Sequence, residues 1–326
     1  MFRWVVFLSC ALGCSASPEA MDLPDRGPSD GGREETRADA STDASADAPW
    51  DVENTPDAVV DGSAPDADPS LGSRCTQTPT EIRCPRETMQ IRTGLTALTA
   101  RDVHYQLPLG EPPPDGFPVA IMFQGSLFSA GFNWLGFKPG PFGVYNQANV
   151  LKSLLDAGYA VITPEARLEG STFWDTNIPP YSVAWEQSGD HRLMVRLFAA
   201  IENGDFGPLD ARRLYATGIS SGGYMTSRMA VSYAGRFRAL AVHSGSYATC
   251  GGAACLVPRD LPNDHPPTLF LHGVLDAVVP IFTMEAYRDR LADQGIEVDV
   301  VTVTAAGHEW IDPAPESIVD WFRRYP

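Results

Sequence analysis

Six short apolar runs, separated by helical patterns, restrict the fold of this chain more than any other feature. They are PVAIMFQG, YAVITPEA, RLYATGIS, RALAVHSG, PTLFLHG and VDVVTVTAAGH, at 118–125, 159–166, 213–220, 238–245, 267–273 and 298–308. Each is nearly continuous in apolar residues, as strands buried on both faces are. Helical patterns lie at 145–158, 189–204, 221–235, 283–295 and 317–325. This alternation predicts an α/β fold, with a mostly parallel central sheet and helices on both faces.

Charge separates an acidic N-terminal region from an ordinary globular remainder. The chain has 41 acidic and 24 basic residues, and its net charge is −17. Fifteen acidic residues and only three arginines lie within 18–73, which therefore carries −12. So acidic a chain is an unsuitable partner for nucleic acid, because phosphate binding needs a basic surface. Residues 15–73, rich in Asp, Ala, Pro, Ser and Thr, are predicted to form a disordered tether. Residues 74–326 are predicted to form one globular domain with a single core.

The first fourteen residues have the pattern of an export signal. Arg3 precedes an apolar stretch too short to span a bilayer, and small residues then lead to Cys14. The run ALGC resembles the lipobox of bacterial lipoproteins, so Cys14 is the predicted lipidation site. The alternative is a plain signal peptide with an unmodified cysteine. We expect an exported protein, anchored to the cell envelope through lipid alone or else secreted.

Four further cysteines follow the tether. Three pairings are possible, and proximity in the sequence favours Cys75 with Cys84 and Cys250 with Cys255. Export makes disulfides plausible, because they persist in oxidising compartments. A metal site is the weaker alternative, since the chain has no C-x-x-C and no histidine pair near these cysteines. No metal and no organic cofactor is expected.

The motif Gly218-Ile-Ser220-Ser221-Gly222 carries the chemistry. A G-x-S-x-G match alone is weak, but this one lies between an apolar run and a helical pattern. That context predicts a sharp strand-to-helix turn that exposes a nucleophilic serine. Ser220 is the predicted nucleophile; Ser221 does not fit, because the residue two before it is Ile219.

A serine nucleophile needs a base, and the base needs a carboxylate to orient it. In this type of fold both follow the serine in the order acid, then histidine, at the ends of later strands. Asp276 follows the run PTLFLHG, and His308 ends the run that begins at 298. These two are the predicted acid and base. Asp260 and Asp264 precede their strand, and His272 is interpreted as making a structural hydrogen bond.

Two groups of residues are predicted to surround the substrate. The backbone N–H groups of Ser221 and Ser126, with Leu127 as the alternative to Ser126, are the expected donors to the oxyanion. Trp174 and Trp185 lie in a long aromatic connection, which indicates either a pocket wall or a satellite core under a loop. Trp310, two residues after His308, is a further candidate for the pocket.

Together, TGISSGGYM, LHGVLDAVVP and GHEW resemble the α/β-hydrolase superfamily. More narrowly, they resemble secreted polyhydroxyalkanoate depolymerases and feruloyl-esterase-like enzymes, in which G-x-S-x-G-G, H-G-x-x-D-x-x-V-P and G-H-x-W recur. These motifs stand here at 218–223, 272–280 and 307–310, and the resemblance covers about 118–326. Two features depart from that group: Gln124 stands where a histidine commonly precedes Gly, and we expect no separate polymer-binding module.

The expected function is hydrolysis of carboxylic esters through an acyl-enzyme. The resemblance implies polyhydroxyalkanoate or its oligomers as substrate, and small soluble esters remain open. One alternative is a serine peptidase of the prolyl-oligopeptidase type, which uses the same three residues. An alternative of another class is a tethered binding protein that has kept the fold without catalysis.

Overall fold

The apolar runs form six neighbouring strands of the protein's main sheet. The computed structural model describes residues 71–94, 99–166 and 173–326. In these residues the strands, in chain order, are β1 (Thr76–Gln77), β2 (Glu81–Arg83), β3 (Glu87–Arg92), β4 (Ala100–Gln106), β5 (Phe117–Phe123), β6 (Leu135–Phe137), β7 (Ala160–Pro164), β8 (Leu209–Ile219), β9 (Phe237–His243), β10 (Thr268–Gly273) and β11 (Val298–Val303). The helices are α1 (Val144–Asp156), α2 (Gly189–Glu202), α3 (Ser221–Ser232), α4 (Ile281–Asp293) and α5 (Ala314–Arg323).

The main sheet has eight strands in the order β11-β10-β9-β8-β5-β7-β4-β3. Neighbours from β11 to β7 pair in parallel, whereas β4 pairs antiparallel with both β7 and β3. The carboxyl ends of β8, β9 and β10 therefore lie side by side. In open α/β sheets this edge carries the ligand site.

Helices cover both faces of the sheet, as predicted. On β5, Ala120 and Met122 belong to the core beneath α1 and α5, while Val119, Ile121 and Phe123 belong to the core beneath α2 and α3. This alternation follows from the period of two in a strand. Both sets are fully buried, which explains why β5 has no polar side chain.

Two features differ from the sequence prediction. The run predicted to be a strand to 308 ends its pairing at Val303, where the chain turns and Ala306 N–H donates to Val303 O. A second, antiparallel sheet, β1-β2-β6, was not anticipated. Its strands are two or three residues long and mostly exposed, so they leave little periodic signal.

Both predicted disulfides are present. Cys75–Cys84 joins the start of the small sheet to the end of β2, and Cys250–Cys255 closes a loop between β9 and β10. The predicted signal at 1–14, Cys14 and nearly all of the predicted tether at 15–73 lie outside the described residues. Among the described residues, none of the helices combines the length and apolar character needed to cross a bilayer.

Candidate active site

The predicted nucleophile lies at a sharp turn between β8 and α3. Ser220 has φ 58° and ψ −122°, a strained backbone for a residue with a side chain. Its N–H donates to His243 O at 3.1 Å, and its carbonyl accepts from Tyr224 N–H at 3.0 Å. A Cβ at Gly218 would lie 2.6 Å from Gly222 O, and a Cβ at Gly222 would overlap Phe123 O, so neither position has room for a side chain. This is the geometry of a nucleophile elbow.

The predicted acid lies in the loop after β10 and is fully buried. One oxygen of Asp276, Oδ1, accepts from Val278 N–H at 2.9 Å and Val279 N–H at 2.8 Å. The other, Oδ2, lies 2.7 Å from His308 Nδ1. Burial raises the pKa of Asp276, but the hydrogen bonds from His308 and from these main-chain groups outweigh it and hold the pKa below its ordinary value. The carboxylate is therefore ionised and able to orient the imidazole.

The segment after His308 is fixed by the loop before α1. Trp310 N–H donates to Phe142 O at 3.0 Å, and Trp310 O accepts from Asn146 Nδ2 at 2.9 Å. A Cβ at Gly143 would overlap Trp310 O, so the backbone of Gly143 is in direct contact with the backbone of Trp310. The side chain of His308 is 12% exposed, which leaves its free edge accessible.

One cavity joins Ser220 to His308. Its volume is about 200 Å³, and its wall is predominantly apolar. It is lined by Gly125, Ser126, Leu127, Phe128, Phe142, Gln147, Ile219, Ser220, Val278, His308 and Trp310. Trp310 therefore lies where the sequence predicted. Phe142, Gln147 and Val278 were not anticipated; only Val278, two residues after the predicted acid, left a signal that could have been used.

The predicted oxyanion donors belong to two different segments, the start of α3 and the loop after β5. Ser221 is the first residue of α3, where main-chain N–H groups lack intrahelical acceptors. Ser126 lines the cavity directly after Gly125, and Leu127 follows with φ 69°. Gln124 stands where the enzymes that this sequence resembles commonly have histidine. Its buried side chain fixes the loop: Nε2 donates to Phe128 O, and Oε1 accepts from Ala166 N–H.

The prediction that Trp174 and Trp185 line the substrate pocket is wrong. Both are at most 2% exposed and belong to the core beneath α2 and α3. Trp174 Nε1 donates to Gln124 O at 3.0 Å, and Trp185 Nε1 donates to Tyr233 OH at 3.1 Å. Each indole satisfies its donor inside the protein, as buried tryptophans do. The alternative interpretation, a satellite core under the loop, describes them correctly.

Two further histidines surround the site. His272 lies 3.5 Å from Asp276 Oδ2, and its Nε2 donates to Val279 O at 2.8 Å, the structural hydrogen bond expected of it. His243 is fully buried at the end of β9. Burial lowers the pKa of both below the ordinary value for histidine. Neither ring adds positive charge near the carboxylate. Across the described part of the chain, no three His, Cys, Asp or Glu side chains converge in a way that would bind a metal ion.

Comparison with known proteins assigns the family. A poly(3-hydroxyoctanoate) depolymerase of Pseudomonas fluorescens is 49% identical over 261 residues, which are 78% of this chain and 92% of the depolymerase. The chain belongs to the family of this depolymerase. The expectation of an enzyme that hydrolyses carboxylic esters is thereby confirmed. No known family profile matches the chain.

More distant similarities agree with this assignment. A protein named probable feruloyl esterase C, from Aspergillus terreus (strain NIH 2624 / FGSC A1156), is 31% identical over 173 residues; the match spans 52% of this chain and 54% of that protein. A truncated carbohydrate esterase from gut microbiota superposes with a TM-score of 0.52 at 15% identity, covering 74% of this chain and 96% of that one. A Klebsiella pneumoniae (subsp. pneumoniae MGH 78578) structure assigned as a dienelactone hydrolase gives 0.51 at 20%, covering 74% and 99%. At these identities the structures show the α/β-hydrolase fold alone.

Proposed function

We propose that the protein is an exported polyester hydrolase that cleaves ester bonds between hydroxy acids with apolar side chains. Ser220, His308 and Asp276 carry the reaction. The observation that supports this most directly is the single cavity that contains both Ser220 and His308, with the buried carboxylate of Asp276 2.7 Å from His308 Nδ1. The 49% identity to a poly(3-hydroxyoctanoate) depolymerase supports the same substrate class.

The first half of the reaction forms an acyl-enzyme. Ser220 Oγ attacks the ester carbonyl carbon while His308 Nε2 takes the serine proton. Asp276 accepts a hydrogen bond from Nδ1–H, which fixes the tautomer and stabilises the imidazolium that forms. Main-chain N–H groups of Ser221 and Ser126 hold the oxyanion of the tetrahedral intermediate. The carbon–oxygen bond of the ester then breaks, and His308 returns the proton to the departing alcohol.

The second half restores the enzyme. Water attacks the acyl-enzyme carbonyl, and His308 takes a proton from that water. The bond to Ser220 Oγ breaks, the serine regains its proton, and the carboxylic acid leaves. The same oxyanion donors serve both tetrahedral intermediates, because the two carbonyl oxygens occupy one place.

The cavity wall supports an apolar acyl group. Leu127, Phe142 and Val278 line the cavity and are also 72%, 48% and 55% exposed, so apolar surface continues from the interior to the rim. Phe128 packs edge to face against Phe142 with ring centroids 5.7 Å apart, which gives this wall a fixed shape. An alkyl side chain of a hydroxy acid would bury this surface on binding.

Export is supported by the two disulfides, since such bonds persist in oxidising compartments. Lipidation at Cys14 then places the enzyme at the cell envelope. A Cys14→Ser variant is expected to leave the membrane fraction and appear as soluble exported protein. Retention of this variant in the membrane fraction would refute the lipid anchor without affecting the proposed reaction.

The catalytic proposal is tested with emulsions of poly(3-hydroxyoctanoate) and poly(3-hydroxybutyrate), together with a fluorophosphonate probe. We expect the wild type to clear the octanoate emulsion faster and to bind the probe covalently. Ser220→Ala should lose both activities. Ser232→Ala, at the far end of α3, is the matched control and should keep both. Labelling that survives Ser220→Ala would refute Ser220 as the nucleophile. A wild type that hydrolyses small soluble esters but clears neither polymer emulsion would refute the polymer substrate.

A further inference from the structure

A histidine lies in the apolar layer beneath the site. Ala239, Ala241 and His243 point to the same face of β9, where the two alanines pack with Trp310 and Ile311 in the core under α1 and α5. His243 continues this row and is fully buried. A buried polar ring in an apolar layer is destabilising unless its hydrogen bonds compensate for lost hydration. Its partners therefore indicate what it does.

His243 contacts both halves of the reactive machinery. Its carbonyl accepts the N–H of Ser220 at 3.1 Å, at the turn that presents the nucleophile. Its Nε2 accepts the N–H of Ile311 at 3.1 Å, three residues after His308. Its ring lies 4.6 Å from the ring of Trp310, which lines the cavity. The main chain of His243 thus forms a hydrogen bond with the segment of Ser220, and its side chain forms one with the segment that follows His308.

The second of these bonds requires a neutral ring. Burial lowers the pKa of His243 well below the usual value, with the nearby His272 and His308 acting in the same direction. The proton of the neutral ring is then on Nδ1, which leaves Nε2 as an acceptor. Hydrogen-bond acceptors for Ile311 N–H are otherwise scarce, because this amide is buried in the core.

We propose that His243 is a positioning residue that sets the distance between Ser220 and His308. The inference rests on the proposed function, since it assumes that these two residues react together. Loss of the Nε2 acceptor would free the 308–311 segment from β9 while leaving the main-chain bond to Ser220 intact. A shift of about 1 Å between reacting groups costs about a hundredfold in rate. His243 does not touch the substrate, so binding is unaffected.

The test compares three substitutions of His243 with a matched histidine elsewhere. Gln places an amide oxygen close to the position of Nε2, Asn is too short to reach it, and Phe keeps the ring without an acceptor. His265 is also buried, between Pro266 O and Tyr287 OH, and does not line the cavity, and His265→Phe is the control. Each protein is measured with a soluble p-nitrophenyl ester, and kcat is expressed per active site titrated by the p-nitrophenol burst.

We expect His243→Phe and His243→Asn to lower kcat by about tenfold to a hundredfold with KM unchanged. His243→Gln should restore most of kcat, and His265→Phe should keep kcat while reducing thermal stability. If a reduced yield of active sites explains the whole loss, with kcat per site unchanged, His243 is merely structural and the proposal is overturned. Equal kcat for the Gln and Asn variants overturns it as well.

The experiment separates this proposal from the proposed function. A wild type that shows neither a burst nor turnover refutes the ester-hydrolase mechanism itself. A wild type that is active, alongside variants of unchanged kcat, refutes only the role of His243. If His243→Phe does not fold, the comparison of Gln with Asn decides, because both are polar and differ only in reach.

Discussion

Leu127 combines a strained backbone with an exposed apolar side chain at the cavity. Its φ is 69°, and its side chain is 72% exposed while lining the cavity. The left-handed conformation costs a residue with a branched side chain about 1–2 kcal/mol, whereas asparagine tolerates it. A leucine here does little for the stability of the fold. We therefore predict that Leu127→Asn stabilises the protein and weakens the binding of long acyl groups.

Both magnitudes follow from the structure. Relief of part of the strain should add about 0.5–1 kcal/mol to the free energy of unfolding, which raises Tm by about 1–4 °C for a domain of this size. Complete burial of a leucine side chain is favourable by about 1.5–3 kcal/mol. Leu127 is 72% exposed, so about that fraction of the free energy can still be gained when a substrate covers it. An acyl chain that covers half of that gains about 0.5–1 kcal/mol, a two- to fivefold effect on kcat/KM.

The assay is thermal unfolding together with kcat/KM for p-nitrophenyl acetate and p-nitrophenyl octanoate. The octanoate value should fall by about two- to fivefold and the acetate value should not change, because an acetyl group has too little apolar surface to bury the Leu127 side chain. Leu256→Asn is the control: this leucine is 86% exposed, outside the cavity lining, and has no positive φ. A lower Tm for Leu127→Asn, or equal losses with both esters, would refute the reasoning.

Three further predictions concern the elbow, the acid and the response to pH. Gly218→Ala should prevent the elbow from closing and abolish fluorophosphonate labelling, because the new Cβ would lie 2.7 Å from Phe123 O. Asp276→Asn should lower kcat by about three to four orders of magnitude with unchanged circular dichroism, because the carboxylate that stabilises the imidazolium is lost. Burial lowers the pKa of His265 to about 4. The unfolded chain therefore binds the extra proton first as pH falls below 6.5, and His265 alone should lower the free energy of unfolding by about 2 kcal/mol between pH 7 and 5.

Each of these predictions has a matched comparison. Gly251→Ala should be tolerated, since its Cβ would meet nothing closer than 4.0 Å. Asp260→Asn, the rival acid in the sequence, should retain full kcat. His265→Gln should reduce this drop in the unfolding free energy, measured by urea titration, by about 2 kcal/mol. Fluorophosphonate labelling of Gly218→Ala would contradict the argument about the elbow, and a wild-type kcat for Asp276→Asn would contradict the argument about the acid. An unchanged pH dependence of the unfolding free energy in His265→Gln would contradict the argument about pH.

The central sheet and the meeting of Ser220, Asp276 and His308 at one site could be predicted because their signals are local. A strand buried on both faces is a continuous apolar run, and the elbow requires small residues next to Ser220. Asp276 and His308 each follow such a run at the same edge of the sheet. The small sheet was missed because its strands are short and exposed.

The residues that line the cavity were predicted less well, because the composition of a loop does not show whether its side chains face the cavity or the core. Trp174 and Trp185 lie in a loop rich in aromatics, and such a loop can pack inward or outward with the same sequence. The two indoles pack inward, where Gln124 O and Tyr233 OH accept their hydrogen bonds. Both acceptors are distant in sequence from the loop. His243 likewise resembles any histidine at a strand end until its partner 68 residues later is known.

The anchoring of Trp310 by Asn146 has a consequence for folding order. These residues are 164 positions apart, and Asp276 and His308 are 32 apart, so the site closes only through contacts of high sequence separation. Such contacts form slowly, since the entropy of closing long loops must be lost first. Recovery of hydrolysis during refolding should therefore lag behind recovery of helical circular dichroism. A nascent chain is consequently inert until the segment that contains His308 and Trp310 has docked.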